Sequence, residues 1–256
     1  MKGRLQMQTY QTIYADPPWM EAGGGKIKRG ADRHYPLMKT KDIMELPVKN
    51  FAADNCHLYL WVTNNFLIDG LKVMKSWGFT YKTKIDWFKG RAPITEWLRI
   101  YWKDANMDNA IVPLYHAHYS LPNIAIALGK EESYVRQILK EHNIKLRSKE
   151  AADYDAEADI DHFDNPALGQ YFRGTTESCL FGVKGSLPYK IDETTGKRCQ
   201  GVTNIISPRR EHSRKPYEMR MMIERVSHGP YLEMFAREKT EGWDTWGNEL
   251  KNDIEM

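Results

Sequence analysis

Two consecutive prolines, Pro17 and Pro18, set the first hard limit on this chain. They follow Thr9 to Ala15 (TYQTIYA), a run of β-branched and aromatic residues. Proline lacks both the N–H and the free φ that a sheet ladder needs, so the run is a strand that stops at Asp16. Similar short runs recur at His57 to Val62, Tyr81 to Phe88, Cys179 to Val183 and Tyr231 to Ala236. Between them lie segments of helical period. Phe66, Leu67, Leu71, Met74 and Trp77 share one face of a helix over Asn64 to Trp77 that Gly78 closes, and Lys215 to Val226 reads as a helix opened by Pro216. Strands alternating with helices predict an α/β protein with a largely parallel sheet covered on both faces. Sheets of that kind gather their ligands outside the C-terminal ends of the strands, which is where Asp16 falls.

The period changes between about Arg91 and Pro166, where the pattern is helical and carries no clear strand. Residues 91–165 are therefore set apart as an insert between a first part, 1–90, and a second part, 166–256. Inside the insert, at about 107–147, the spacing suits a helix-turn-helix. Ser120 caps a first helix with Pro122 near its start, Gly129 permits the turn, and Ala125, Val135 and Ile138 are small or branched enough to pack two helices steeply. The second helix is expected to expose Tyr134, Arg136, Gln137 and Lys140 toward DNA, with Lys145, Arg147 and Lys149 following as phosphate contacts. Glu131 and Glu132 at its start oppose that reading. The stretch Asp153 to Asp164 has six acidic residues and no Lys or Arg, as a solvated linker at the insert's exit would.

Asp16-Pro17-Pro18-Trp19 carries the chemistry. The exocyclic amine of adenine is a poor nucleophile, because its lone pair is delocalised into the ring. The Asp16 carboxylate can accept one N6–H bond and a carbonyl of the rigid Pro17-Pro18 turn the other, which turns the lone pair toward a methyl donor. Trp19 is expected to stack on a base taken out of its helix. Two basic loops follow the motif, Lys26, Lys28, Arg29 and Arg33 in a Gly-rich stretch and Arg209, Arg210, Arg214 and Lys215 farther on, and are expected to flank one site. Both suit a phosphate backbone. The net charge of +3 does not by itself demand nucleic acid.

Other chemistries find little support. Cys56, Cys179 and Cys199 are odd in number and far apart, without the CxxC spacing of a zinc knuckle. His116 and His118 face different ways on a helix and have no evident third ligand, so no metal is expected. Gly23-Gly24-Gly25-Lys26 lacks the spacing of a phosphate-cradling loop and is read as a flexible substrate loop. No apolar run is long enough for a bilayer and the first residues do not resemble a signal peptide, so no membrane partner is expected and a cytoplasmic protein of a bacterial or phage-infected cell is.

The chain resembles the adenine-N6 methyltransferases of the type of the messenger RNA adenosine methyltransferase, and within them the microbial and phage members with DPPW. The resemblance rests on Ile13 to Trp19, on His34-Tyr35-Pro36-Leu37-Met38 with Leu46-Pro47-Val48, and on Gly169 to Arg173 with Glu177 and Gly182 to Gly185. It continues in Ser213 to Pro216, Leu232 to Arg237 and Gly242 to Glu249, all in the family's order. It implies a Rossmann-like S-adenosylmethionine-dependent fold in which the catalytic motif precedes the cofactor strand. By resemblance, Lys215, Phe235, Arg237, Asn248 and Glu249 contact S-adenosylmethionine, and Tyr35, Arg173 and Glu177 lie near the target base. The chain departs from the family in having Ala236 where glycine is usual, and it holds no GxGxxG. The helix-turn-helix favours duplex DNA as the substrate, since A-form RNA offers no readable major groove. RNA, a non-catalytic nucleic-acid-binding subunit, methylation of cytosine N4 and a homodimer stay open.

Overall fold

The computed structural model describes residues 8–20, 37–90, 92–102, 106–148, 174–208 and 214–256. Strand β1 (Tyr10–Ala15) is followed by two short helices, α1 (Thr40–Glu45) and α2 (Val48–Phe51), and by β2 (Ala52–Val62). A 3₁₀ turn at Asn64–Phe66 leads into α3 (Leu67–Ser76), and β3 (Thr80–Lys89) comes next. Four helices follow: α4 (Ile94–Tyr101), α5 (Ile111–His116), α6 (Leu121–Leu128) and α7 (Glu132–Glu141). The last elements are β4 (Thr176–Lys184), β5 (Asn204–Ser207), α8 (Tyr217–Val226), β6 (Tyr231–Met234) and β7 (Trp243–Trp246). The strands form one seven-stranded sheet in the order β5-β3-β4-β2-β1-β6-β7. None of the described helices is long and apolar enough to cross a membrane.

The described residues divide into two compact units. The first takes its residues from Met1–Asp86, Glu177–Thr203 and Glu224–Met256; the second from Trp87–Thr176 and Asn204–Ile223. In the first unit β1 runs parallel to β2 on one side and to β6 on the other, and β6 runs parallel to β7. β4 lies antiparallel to β2, so the sheet is mixed rather than parallel throughout. Burial follows position in the sheet. Ile13 and Ala15 of β1, Leu58 and Leu60 of β2, and Leu232 and Met234 of β6 are all buried in one core with Val73, Met74 and Trp77 of α3. A central strand covered on both faces has no solvated side, which accounts for β1 reading as a nearly continuous apolar run.

Helix α3 buries part of the face its sequence suggests, Met74 and Trp77 with Phe66 packed beside them, but leaves Leu67 and Leu71 partly exposed. Val73, Met74 and Trp77 are buried, whereas Leu67 and Leu71 are each 38% exposed and Ile68 is 68% exposed. The Trp77 indole N–H donates to the Ile43 carbonyl at 3.0 Å and ties α3 to α1. The first turn of α3, carrying Leu67 and Ile68, overhangs the core.

In the second unit α6 and α7 meet through Ala125, Val135 and Leu139, all buried. Ser120 caps α6 by accepting from the Asn123 N–H at 3.3 Å, and Gly129 ends it at φ 64°, where a residue with a Cβ is strained. Trp97 of α4 donates to the Glu218 carboxylate of α8 at 3.0 Å within the same unit.

Candidate active site

The sheet register brings the motif residues together. Ala15 of β1 pairs with Leu60 of β2 on one side and with Met234 of β6 on the other, and Met234 pairs with Trp246 of β7. Asp16, Phe235 and Gly247 are therefore the first residues beyond one row of three parallel neighbours, at strand spacings of about 5 Å. Arg237, Asn248 and Glu249 come one or two residues later at the same carboxyl edge. β4 runs the other way, and its Ser178 pairs with Val62 of β2, so Glu177 at its start belongs to that edge as well. β1 is the strand at which the chain turns to both sides, with β2 beside it on one flank and β6 on the other.

The Asp16-Pro17-Pro18-Trp19 turn is held by backbone and by aromatic packing. The Asp16 N–H donates to the Met234 carbonyl at 3.4 Å, the Trp19 N–H to the Pro17 carbonyl at 2.9 Å, and the Met38 N–H to the Pro18 carbonyl at 2.8 Å. Each of those two proline carbonyls keeps a second lone pair, so either can still accept from a substrate amine. Asp16 and Pro18 are half-buried while Pro17 is buried.

Trp19 corrects the reading of an open stacking platform. It is only 6% exposed, its indole N–H donates to the Trp61 carbonyl at 3.0 Å, and its ring stacks on Phe66 with centroids 5.3 Å apart. The ring is built into the core, and it fixes the turn against the end of β2. The same ring therefore ties the Asp16-Pro17-Pro18 turn to Trp61 and Phe66. The sequence carries no sign of this, because a flat ring does not announce which partner it will find.

The β6 and β7 ends form the other flank. Phe235 is a non-glycine residue at φ 63°, a conformation that costs about 1 kcal/mol or more and collects at ligand sites. Its half-buried ring meets Trp246 edge-on at 5.2 Å. The Ala236 N–H donates to the Trp246 carbonyl at 3.0 Å, and a Cβ on Gly247 would stand 2.0 Å from the Ala236 oxygen. Only glycine permits this approach. The Arg237 guanidinium lies 3.5 Å from the Glu249 carboxylate, and Arg237, Asn248 and Glu249 are all exposed.

Residues near the C-terminus hold this flank from behind, a feature the sequence reading missed. Asn252 accepts from the Gly247 N–H at 2.7 Å, and Asp253 accepts from the Thr245 N–H and hydroxyl at 2.9 and 2.8 Å. Lys239 also pairs with Asp253, and it is the largest cause of that carboxyl being held down at about 2.

The remaining candidates divide between the units and beyond them. Tyr35, Arg173, Lys26, Lys28, Arg29, Arg33, Arg209, Arg210 and Lys149 lie outside the described residues, as do the Gly23 to Gly25 loop and the acidic stretch from Asp153. Lys215 and Arg214 precede α8 in the second unit. In that unit Arg136 and Gln137 are exposed on α7, bonded to Glu132 at 2.6 Å and to Glu141 at 2.8 Å, and Lys140 is exposed beyond them.

Tyr134 and Arg147 are engaged otherwise than the sequence suggests. The Tyr134 hydroxyl donates to Asp108 at 2.8 Å, with Lys130 over its ring and paired to the same carboxylate at 2.8 Å. Arg147 stacks on Tyr115 at 3.8 Å and donates to the carbonyls of Tyr115 and Tyr119, both at 2.7 Å. Arg147 thus caps the end of α5 and the loop after it, and on α7 Arg136, Gln137 and Lys140 are exposed together with Ser133 and Glu141.

The model of the MT-A70 family matches residues 10–98 and 102–249, a span that takes in most of the segment the sequence pattern sets apart as an insert. A Type II methyltransferase, M.MunI, from Mycoplasma sp. is 24% identical over 273 aligned positions, which cover 99% of this chain and 83% of that protein. The human N(6)-adenine-specific methyltransferase METTL4 is also 24% identical, over 95% of this chain and 38% of its own length.

Proposed function

This chain belongs to the MT-A70 family of N6-adenine methyltransferases, and from that premise we propose that it transfers a methyl group from S-adenosylmethionine to the N6 amine of adenine in duplex DNA. The observation that carries the proposal is the common edge of β1, β6 and β7, where Asp16 with two proline carbonyls stands beside Phe235 and the Arg237–Glu249 pair.

The residues of that edge suit the two reactants. Glu249 and Asn248 offer a carboxylate and an amide to ribose hydroxyls, and Phe235 offers an aromatic surface to the cofactor's adenine. Arg237 orients Glu249, and Lys215 is assigned to the cofactor on the family resemblance alone. S-adenosylmethionine supplies an already activated methyl on sulfonium, so the protein's task is alignment. Asp16 accepts one hydrogen of the target amine and Pro17 or Pro18 the other. The nitrogen lone pair is thereby freed from the ring and aimed, and Trp19 holds the turn in place. Tyr35, Arg173 and Glu177 are assigned to the target base.

Duplex DNA is favoured by α6 and α7, whose Gly129 turn and exposed Arg136, Gln137 and Lys140 suit a recognition helix in a major groove. On this reading 91–165 serves as a site-choosing insert within the methyltransferase domain. Labelled methyl transfer to matched duplex DNA, single-stranded DNA and RNA, with the product nucleosides identified, tests it. N6-methyladenine on duplex DNA is the expected product. Label confined to RNA would keep the chemistry and discard the DNA reader, and no transfer to any substrate would favour a silent binding subunit.

Replacing Arg136 and Gln137 together by alanine is expected to redistribute methylation among sites on a long duplex, each lost base contact being worth about 1–3 kcal/mol of discrimination. The rate at a saturated site should change little. Sequencing the methylated positions checks this, and an unaltered site pattern would remove the recognition role from α7.

A further inference from the structure

The proposed chemistry leaves one need of the target base unmet. Adenine offers two hydrogens on N6, but its ring nitrogens are acceptors and require donors. Asp16 and the proline carbonyls are acceptors only. A donor to the ring has to come from outside the motif, and among the described residues at this edge there is a candidate.

β2 supplies one. It lies beside β1 on the flank away from β6 and β7, and past Val62 it breaks into the turn Thr63-Asn64-Asn65-Phe66. This turn is tied to the catalytic motif twice, by the Trp19 indole donating to Trp61 at 3.0 Å and by the stack of Trp19 on Phe66 at 5.3 Å. The Phe66 N–H closes the turn onto the Thr63 carbonyl at 2.9 Å. Asn64 and Asn65 are both exposed, and neither side-chain amide is bonded to another described residue. Two amide groups with open donors therefore sit on a turn that is rigidly referenced to Asp16.

Accepting the function proposed above, we infer that the Asn64-Asn65 turn is a base-recognition element, one of whose amide N–H groups donates to N1 or N7 of the target adenine. The motif then reads the amine and the turn reads the ring. β6 and β7 keep the cofactor on one flank of β1, and β2 keeps the base on the other. Guanine fails this arrangement because it carries an oxygen in place of the amine at C6.

The test pairs variants with base analogues. Asn64→Ala, Asn65→Ala and the double variant are measured against oligonucleotides with one target adenine, and against the same oligonucleotides carrying 7-deazaadenine or 1-deazaadenine there. Both the affinity for the oligonucleotide, by fluorescence anisotropy, and kcat/KM are recorded. With adenine the double variant is expected to lose about 10- to 100-fold in kcat/KM, with thermal stability and S-adenosylmethionine affinity unchanged. With the analogue lacking the contacted nitrogen, wild type should show that loss already and the variant should add nothing to it. Losses that multiply for both analogues, or variants that bind and turn over adenine like wild type, overturn the inference. If wild type methylates no nucleic acid, the function proposed above fails separately, and the anisotropy series still decides whether the turn reads the ring.

Discussion

Alanine in place of Asp16 is expected to lower methyl transfer by about 10³-fold or more while leaving the fold and cofactor affinity near wild type. The carboxylate is the only charged acceptor in the motif, and without it one N6–H has no partner and the lone pair stays in the ring. The backbone of the turn has main-chain and ring contacts of its own. It is set by the Asp16 N–H on Met234, by the two proline carbonyls and by Trp19 on Trp61. Asp16→Asn keeps an acceptor oxygen but loses the charge, so it should fall between wild type and alanine. Single-turnover transfer of labelled methyl, alongside calorimetry with S-adenosylmethionine, separates chemistry from binding. Near-normal turnover in Asp16→Ala would remove Asp16 from the reaction.

The second large effect is on stability. Trp19→Ala should cost about 3–5 kcal/mol, because it empties a buried aromatic site and removes the indole's hydrogen bond to the Trp61 carbonyl. Trp19→Phe keeps a ring against Phe66 and should cost about 1–2 kcal/mol, chiefly for the lost hydrogen bond. Activity should fall with stability in both, since a loosened turn misplaces Asp16. Urea unfolding read with turnover at low temperature distinguishes the roles of the ring. If Trp19→Ala unfolds like wild type but no longer transfers methyl, the ring acts on the base and its buried placement is incidental.

Much of this site is legible in the residue pattern, and the exceptions have physical reasons. The strand ending at Asp16 is visible because β-branched residues run straight into two prolines. The β1, β2, β3, β4 and β6 segments are visible from similar runs, though β2 begins at Ala52, where exposed Asp54 and Asn55 hide its start. β5 and β7 escape notice because each has only two apolar residues in four, whereas β6 has three and runs on into Phe235 and Ala236. The direction of β4 is not written in CLFGV, since a strand's composition does not say which way its neighbours run. The inward face of α3 is read rightly at Met74 and Trp77 and wrongly at Leu67 and Leu71, which fit the helical spacing as well as Val73 does, and only tertiary packing chooses between them. In the site itself, Asp16 and the prolines announce their chemistry by type, whereas Trp19, Arg147 and Tyr134 do not. Large side chains with both an apolar body and a polar tip serve equally well in a core and at a ligand, and the partner decides.

The place of β1 between two ladders has a consequence for how the molecule loses function. Thr12 to Ala15 are paired to β2 on one side and to β6 on the other, with side chains at or near full burial. Edge strands and surface helices can open by themselves, but a strand in this place exchanges its amide hydrogens only when the sheet parts on both sides. The carboxylate that handles the substrate is thus attached to the segment last to let go. On warming, loss of turnover should coincide with global melting instead of preceding it, and the slowest amides in a deuterium-exchange experiment should be those leading into Asp16.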